Sequence, residues 1–362
     1  MHQASMTRHL TVLLAASLLA RPPLAAQATA PLTRDQLLAR LGNTLDSLSA
    51  AGQFSGAVEL SRDGKTLFAQ AYGMADRAAM RPNTVATEFN IGSINKVFTA
   101  TAIRQLAAAG RISLDSTLGY YWPDYPNTAA RKATIRQLMT HQAGLGGNIF
   151  DAPPGGNRHH IKHNNDYLQL FVSEPQAFVP GTSRRYCNAC YVVLGILIER
   201  LSGEDYYGYI QRHIYAPAGM THTGSYTVDS LPPNTAIGYT TGEEDAPPGT
   251  PLHANTAELP GRGSAAGGGY STTGDLLRFV EALRAGKVPS GPPAGIGVAG
   301  GSGGLNAVVE GDLPGGYDLA VAANLDPPAA ERVAAMVRGW LGARDEGGPG
   351  PGPGPGAAPG DP

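Results

Sequence analysis

Ser93 and Lys96 stand three residues apart in Phe89–Ile103, FNIGSINKVFTATAI, a segment whose apolar residues carry it into a helix. At that spacing the two side chains share a helical face, one turn apart. A lysine that follows such a face inward leaves water, at a cost that a partner or a use must offset. A serine hydroxyl is a poor nucleophile until something takes its proton. Lysine titrates near about 10.4 in water, but burial disfavours its charged form and lowers that value. The pair therefore suits a nucleophile with its base or proton relay. Free backbone N–H groups at a helix start would favour the negative charge that develops.

Taken alone, S-x-x-K also fits a capping serine and a lysine reaching back to solvent. The surroundings separate the two readings. Phe89–Ala102 resembles the nucleophile segment of the serine β-lactamase and penicillin-binding superfamily, set at a loop-to-helix junction. The similarity continues through Leu106–Asp115 (LAAAGRISLD) and Ile135–Leu145 (IRQLMTHQAGL). Phe178–Gly195, FVPGTSRRYCNACYVVLG, is similar to the PGT…Y-x-N…LLG segment of class C β-lactamases, related DD-peptidases and β-lactamase-like carboxylesterases. The resemblance assigns Tyr186 to proton transfer beside Lys96, and Asn188 to hydrogen bonding of Lys96 and the substrate carbonyl. A tyrosine flanked by a cation is expected to have its pKa drawn toward neutrality.

The superfamily places a third triplet, K-T-G or H-x-G, on an inner strand, where its first residue orients an anionic or polar substrate group. The matching stretch is Gly297–Ala307, GVAGGSGGLNA, which sets Val298-Ala299-Gly300 at the triplet. Valine thus replaces the usual cation or imidazole. Gly300 remains, and the N–H of Gly301 is placed to join that of Ser93 in an oxyanion hole. The stretch between Leu283 and Gly297 is also short for this superfamily. A carboxylate-bearing substrate wants the missing cation, whereas an uncharged ester does not.

The resemblance therefore implies a serine hydrolase that works through an acyl-enzyme on an ester or amide, with a carboxylesterase as the leading expectation. The alternatives are a β-lactamase or D-Ala-D-Ala carboxypeptidase/D-aminopeptidase, and a catalytically impaired sensor that kept the acylation pocket. The implied partner is a small ester, β-lactam or D-amino-acid peptide, and neither a metal nor an organic cofactor is needed.

The elements that must hold these residues are readable along the 362-residue chain. Leu32–Ala51 is amphipathic, with Thr33 and Gln36 forming a capping box and Leu37, Leu41, Leu45 and Leu48 on one stripe. Ser55–Leu60 and Thr66–Tyr72 flank Asp63-Gly64, a hairpin turn signal. The Ser93 helix is expected to run to Gly110, a natural C-cap. Short helices are predicted at Ala133–His141 and Asp275–Ala285, and a buried one at Tyr191–Leu201. Strands follow at Leu305–Glu310 and Tyr317–Asn324, then an amphipathic helix at Arg332–Leu341. Strands thus lie at both ends and helices between them. The predicted fold class is α/β (α+β): an antiparallel sheet built from both chain ends, flanked by helices, with an inserted all-helical subdomain.

The rest of the sequence sets boundaries. A net charge of -2 excludes nucleic acid or an anionic membrane held by bulk charge. Arg8, the apolar run Leu10–Ala20 and Ala26-Gln27-Ala28 read as a signal peptide over residues 1–28, which predicts an exported, periplasmic or secreted protein without a stable membrane anchor. The hydrolase domain is expected over residues 29–346, and the Pro/Gly-rich residues 347–362 read as a disordered tail. Cys187 and Cys190 form a single C-x-x-C, which leaves a small disulfide or two buried thiols as the main readings. Asp151–Asn165 is a polar surface excursion, and its His159, His160 and His163 lack the glutamate of a zinc-protease motif. Gly300–Gly304 spells G-x-S-x-G, but a strand-like LNAVVE follows it rather than a helix.

Overall fold

The computed structural model describes residues 32–150, 158–243, 246–247, 249–289 and 296–342. The expected signal segment and Pro/Gly tail lie outside the described residues, as does part of the Asp151–Asn165 excursion.

Helix α1 covers Arg34–Ala50, and its capping box forms as predicted between Thr33 and Gln36. Strands β1 (Gly56–Arg62) and β2 (Lys65–Tyr72) meet at Asp63 and Gly64, both with positive φ, the twist that a two-residue hairpin demands. A 3-10 turn, Gly92–Ile94, carries Ser93 and leads into helix α2, Asn95–Ala108. The nucleophile candidate therefore sits in the turn before the regular helix. Gly110 lies just past its end in the left-handed region, as a helix terminator should.

Helices α3 (Ile135–Met139) and α4 (Asn188–Ser202) follow. Every residue of α4 from Ala189 to Ile198 is buried, as its all-round apolar sequence requires. Helix α5 spans Thr273–Arg284. The chain closes with β3 (Gly297–Ser302), β4 (Leu305–Leu313), β5 (Tyr317–Ala323) and helix α6 (Ala329–Leu341).

These strands form one antiparallel sheet in the order β3-β4-β5-β1-β2. The sheet is thus assembled from both ends of the chain, with Gly56 paired to Ala323 and Arg62 to Tyr317. Period-2 alternation gives each face its own core. Val58, Leu60, Val308 and Val321 pack with Leu37, Leu41, Leu45, Val333 and Val337 of α1 and α6. Ala57, Ala320, Ala322 and Val309 pack with Leu276 and Phe279 of α5, in a core continuous with α2 and α4.

Candidate active site

The Gly92–Ile94 turn is wedged between β3 and the segment Gly263–Gly269, GSAAGGG. Each neighbour approaches most closely at a glycine. A Cβ on Gly300 would lie 2.3 Å from Ile91 O and 2.6 Å from Ser93 N, and one on Gly267 would lie 3.1 Å from Gly92 O. Gly92 itself has φ +50, and a Cβ there would meet Gly301 N at 3.1 Å. Glycine is required at Gly300, and at Gly267 even a methyl would be tight, because backbone packs on backbone.

Sequence reading singled out Ser93, Lys96, Tyr186, Asn188, Gly300 and Gly301, and the structure brings all six to one place. Tyr186 Oη lies 2.7 Å from Ser93 Oγ and donates to it. Lys96 Nζ lies 3.1 Å from Ser93 Oγ, 2.7 Å from Asn188 Oδ1 and 2.5 Å from Ala266 O. Its ammonium position also sits 4.8 Å from the Tyr186 ring centroid and 5.6 Å from that of Tyr191.

Lys96 is buried, and desolvation holds its pKa well below the ordinary lysine value. The consequence is directional. An ammonium would donate to all three oxygens around it. A neutral amine has two N–H groups, which the carbonyl oxygens of Asn188 and Ala266 must take because they can only accept. The lone pair is then left for the Ser93 hydroxyl. The surroundings of Lys96 thus orient it as a proton acceptor.

Tyr186 departs from expectation. Its pKa is raised, because burial outweighs the hydrogen bond to Ser93. A neutral Lys96 supplies no cation to lower it. The tyrosine is therefore a phenol, donating along Tyr186 → Ser93 → Lys96. His141 stacks on Tyr186 with ring centroids 4.8 Å apart and accepts a bond from Cys187 N at Nδ1, 3.2 Å away. Burial first, with a contribution from the charge of Arg184, lowers its pKa to about 4, so it is neutral at physiological pH.

Strand β3 corrects a second expectation: it is the edge of the sheet, not an inner strand. The position gives Gly301 its use. The two-residue loop Gly303-Gly304 makes Ser302 and Leu305 the hydrogen-bonded pair that closes the hairpin, so Gly301 and Asn306 form a non-hydrogen-bonded pair. The Gly301 N–H therefore points off the free edge, on the side where Gly92 and Ser93 lie. Val298, two residues before Gly300, faces the same side and packs against the core there.

An open cleft leads to Ser93, with Phe150, Tyr167, Tyr226, Tyr270 and Leu305 among its walls. Its wall also carries Arg158, whose guanidinium donates to Ile149 O and Phe150 O, and Glu258, which bonds His253 at 2.9 Å. Cys187 and Cys190 are joined as a disulfide.

Sequence reasoning missed the Gly263–Gly269 segment, which supplies the Ala266 acceptor. Asn95, Lys96 and Thr99, on adjoining positions of α2, all bond to it, at Ser264 O, Ala266 O and Ala265 O. Its run of glycine and alanine was the available signal, since such runs mark close backbone approach.

The family described as Beta-lactamase matches residues 41–344. The chain is 29% identical to Esterase EstB of Burkholderia gladioli over 279 residues, covering 69% of this chain and 70% of EstB. It is 28% identical to Penicillin-binding protein 4* of Bacillus subtilis (strain 168), covering 67% of this chain and 55% of the relative. With a Beta-lactamase of Yersinia enterocolitica the identity is 29%, over 72% of this chain and 63% of that protein. The chain spans just over half the length of the curated Bacillus subtilis relatives it matches. Among solved structures, a penicillin binding protein from Bacillus halodurans superposes with a TM-score of 0.72 at 27% identity, covering 82% of this chain and 98% of that one. The D-amino acid amidase of Ochrobactrum anthropi SV3 shares the fold, with a TM-score of 0.72 at 23% identity over 85% of this chain and 98% of its own. The match over residues 41–344 shows that the chain belongs to the family described as Beta-lactamase.

Proposed function

We propose that this protein is a carboxylesterase that works through an acyl-enzyme on Ser93. In the first half-reaction Ser93 Oγ attacks the ester carbonyl carbon while the hydroxyl proton passes to Lys96 Nζ. The backbone N–H groups of Ser93 and Gly301 hold the oxyanion. The bond from carbonyl carbon to alkoxy oxygen then breaks. The leaving oxygen takes a proton from Tyr186, which recovers one from Lys96. Water repeats the sequence on the acyl-enzyme, releasing the acid and restoring Ser93.

What supports the preference for esters is Val298, which the family resemblance aligns with the lysine or histidine that meets a substrate carboxylate. An apolar residue there neither attracts an anion nor penalises a neutral acyl group. Relatives named as an esterase and as a β-lactamase support the shared acyl chemistry equally, so the alternative is cleavage of a β-lactam or a D-amino-acid peptide. The signal-like N-terminus adds export to the proposal, and the Cys187–Cys190 disulfide suits an oxidising compartment.

The test is a paired assay of the protein and Ser93→Ala with p-nitrophenyl butyrate and a chromogenic cephalosporin, with mass spectrometry for an acyl adduct. Ester turnover that disappears in Ser93→Ala is the expected result. Cephalosporin turnover at comparable kcat/KM would replace the esterase reading with that of a β-lactamase. A lasting adduct without turnover would mark a sensor.

A further inference from the structure

We propose that the Cys187–Cys190 disulfide is a positioning device for the acyl-transfer site, and that reducing it slows the chemical step. The inference rests on the acyl-transfer reading above. Cys187 lies between Tyr186, which touches Ser93 Oγ, and Asn188, which touches Lys96 Nζ. Two adjacent stretches of backbone must therefore aim side chains at two atoms of one proton relay. The chain also changes conformation there: Cys187 is extended, at φ -134° and ψ 95°, while Asn188 begins α4.

A helix start of this kind is ordinarily fixed by an oxygen cap from Ser, Thr, Asp or Asn. Here the cap is sulfur: Cys190 N donates to Cys187 Sγ at 3.0 Å. Sulfur is a weak acceptor, so this cap alone would hold the turn poorly. The covalent bond to Cys190 does the holding instead, tying the cap residue to the third residue of the helix. His141 braces the same peptide from outside through Cys187 N and the Tyr186 ring.

Reduction would undo this. A dithiol reductant supplies two electrons and two protons: the Cys187–Cys190 S–S bond breaks, both sulfurs become thiols, and the reductant closes to its own disulfide. No longer bonded, the two sulfurs retreat to van der Waals separation. Cys190 is fully buried, so separating the sulfurs works against close-packed neighbours. The first turn of α4 must shift, and Tyr186 and Asn188 shift with it. A misplacement of about 1 Å at a reacting group can cost about 10²-fold in rate.

The experiment compares the oxidised protein, the protein reduced with dithiothreitol, the same sample reoxidised, and the Cys187→Ala/Cys190→Ala double variant. For each, kcat and KM on p-nitrophenyl butyrate are measured with the rate of Ser93 labelling by a fluorophosphonate, and a melting curve verifies folding at the assay temperature. The expected result is a kcat lowered about 10- to 100-fold in the folded, reduced protein and the double variant. KM should stay within about twofold, the mark of an effect on the chemical step, and reoxidation should restore kcat. A fully reduced, folded protein with unchanged kcat overturns the proposal, as does a loss that only tracks the unfolded fraction. If the oxidised protein labels at Ser93 but turns over no ester, the esterase reading fails. The brace is then judged on labelling alone: slower labelling after reduction supports it, and an unchanged rate overturns it. A protein that neither labels nor turns over overturns both.

Discussion

At Lys96 charge state and chemistry are linked by two carbonyl oxygens. Because Asn188 Oδ1 and Ala266 O claim its N–H groups, only the neutral amine can accept from Ser93. Activity should therefore rise with pH along an acid limb set by Lys96, at a pH below the ordinary lysine range, in ester kcat/KM profiles. Lys96→Arg stays protonated and should lose about 10²–10⁴-fold in kcat, measured against the same ester. Stability carries the same signature. Between the depressed folded pKa and the ordinary value the unfolded chain binds the extra proton, so stability rises with pH across that window. The stability of Lys96→Met relative to the parent should accordingly fall as pH rises through it, in denaturant titrations at stepped pH. Val298 yields a prediction of the opposite kind, a gain. Val298→Lys should raise kcat/KM for a carboxylate-bearing cephalosporin about 10- to 100-fold through one charged hydrogen bond, while a neutral ester changes little. At this scale much of the site is visible in sequence, because S-x-x-K and Y-x-N are contiguous and their geometry is local. The Ala266 acceptor is not, since a backbone carbonyl leaves no side-chain signature. Nor is the raised pKa of Tyr186, which depends on burial that only tertiary packing creates.

Elements decide how tightly the Ser93 turn is held. Strand β3 is built of Gly297–Ser302, GVAGGS, with a single β-branched residue. No strand propensity announces it, and only the resemblance placed it; pairing with β4 makes it a strand. Its composition answers instead to the turn against which it lies. Gly300→Ala should fold but lose at least about 10²-fold in kcat, because the new methyl meets Ile91 O and Ser93 N, backbone atoms that cannot swing aside. The loss should appear in kcat more than in KM. The longer elements α1, α4, α5 and α6 are legible from apolar periodicity and caps, and differ from expectation mainly at their ends. Helix α4 starts at Asn188, three residues before its apolar run, because the disulfide-braced cap and the contact with Lys96 fix its first turn.

The two cores and the site are connected through Asn306. It is completely buried on β4; its Nδ2 donates to Gly300 O at 3.2 Å and its Oδ1 accepts from Ala330 N at 2.6 Å and Glu331 N at 3.3 Å. One side chain therefore ties the start of the last helix to the strand beside Ser93. Asn306→Ala should cost about 1–3 kcal/mol, the penalty for buried groups left unpaired, and should weaken turnover as well, read from denaturant melts and ester kinetics together. The plan of a sheet from both ends with helices between is evident from the order of strand-like and helix-like segments. Strand order and the edge position of β3 are not, because nothing local encodes which strand pairs with which. The interior position of β1, between β5 and β2, has a consequence for folding. Gly56 and its partner Ala323 lie far apart in the chain, so the first hairpin has one edge open until the distant strand arrives. Pairing between such distant segments is slow, and an open edge is what aggregation and holding chaperones both recognise. A chain interrupted before Tyr317 would lack more than its last strand and helix; it would leave the earliest strand of the sheet without the neighbour that closes it.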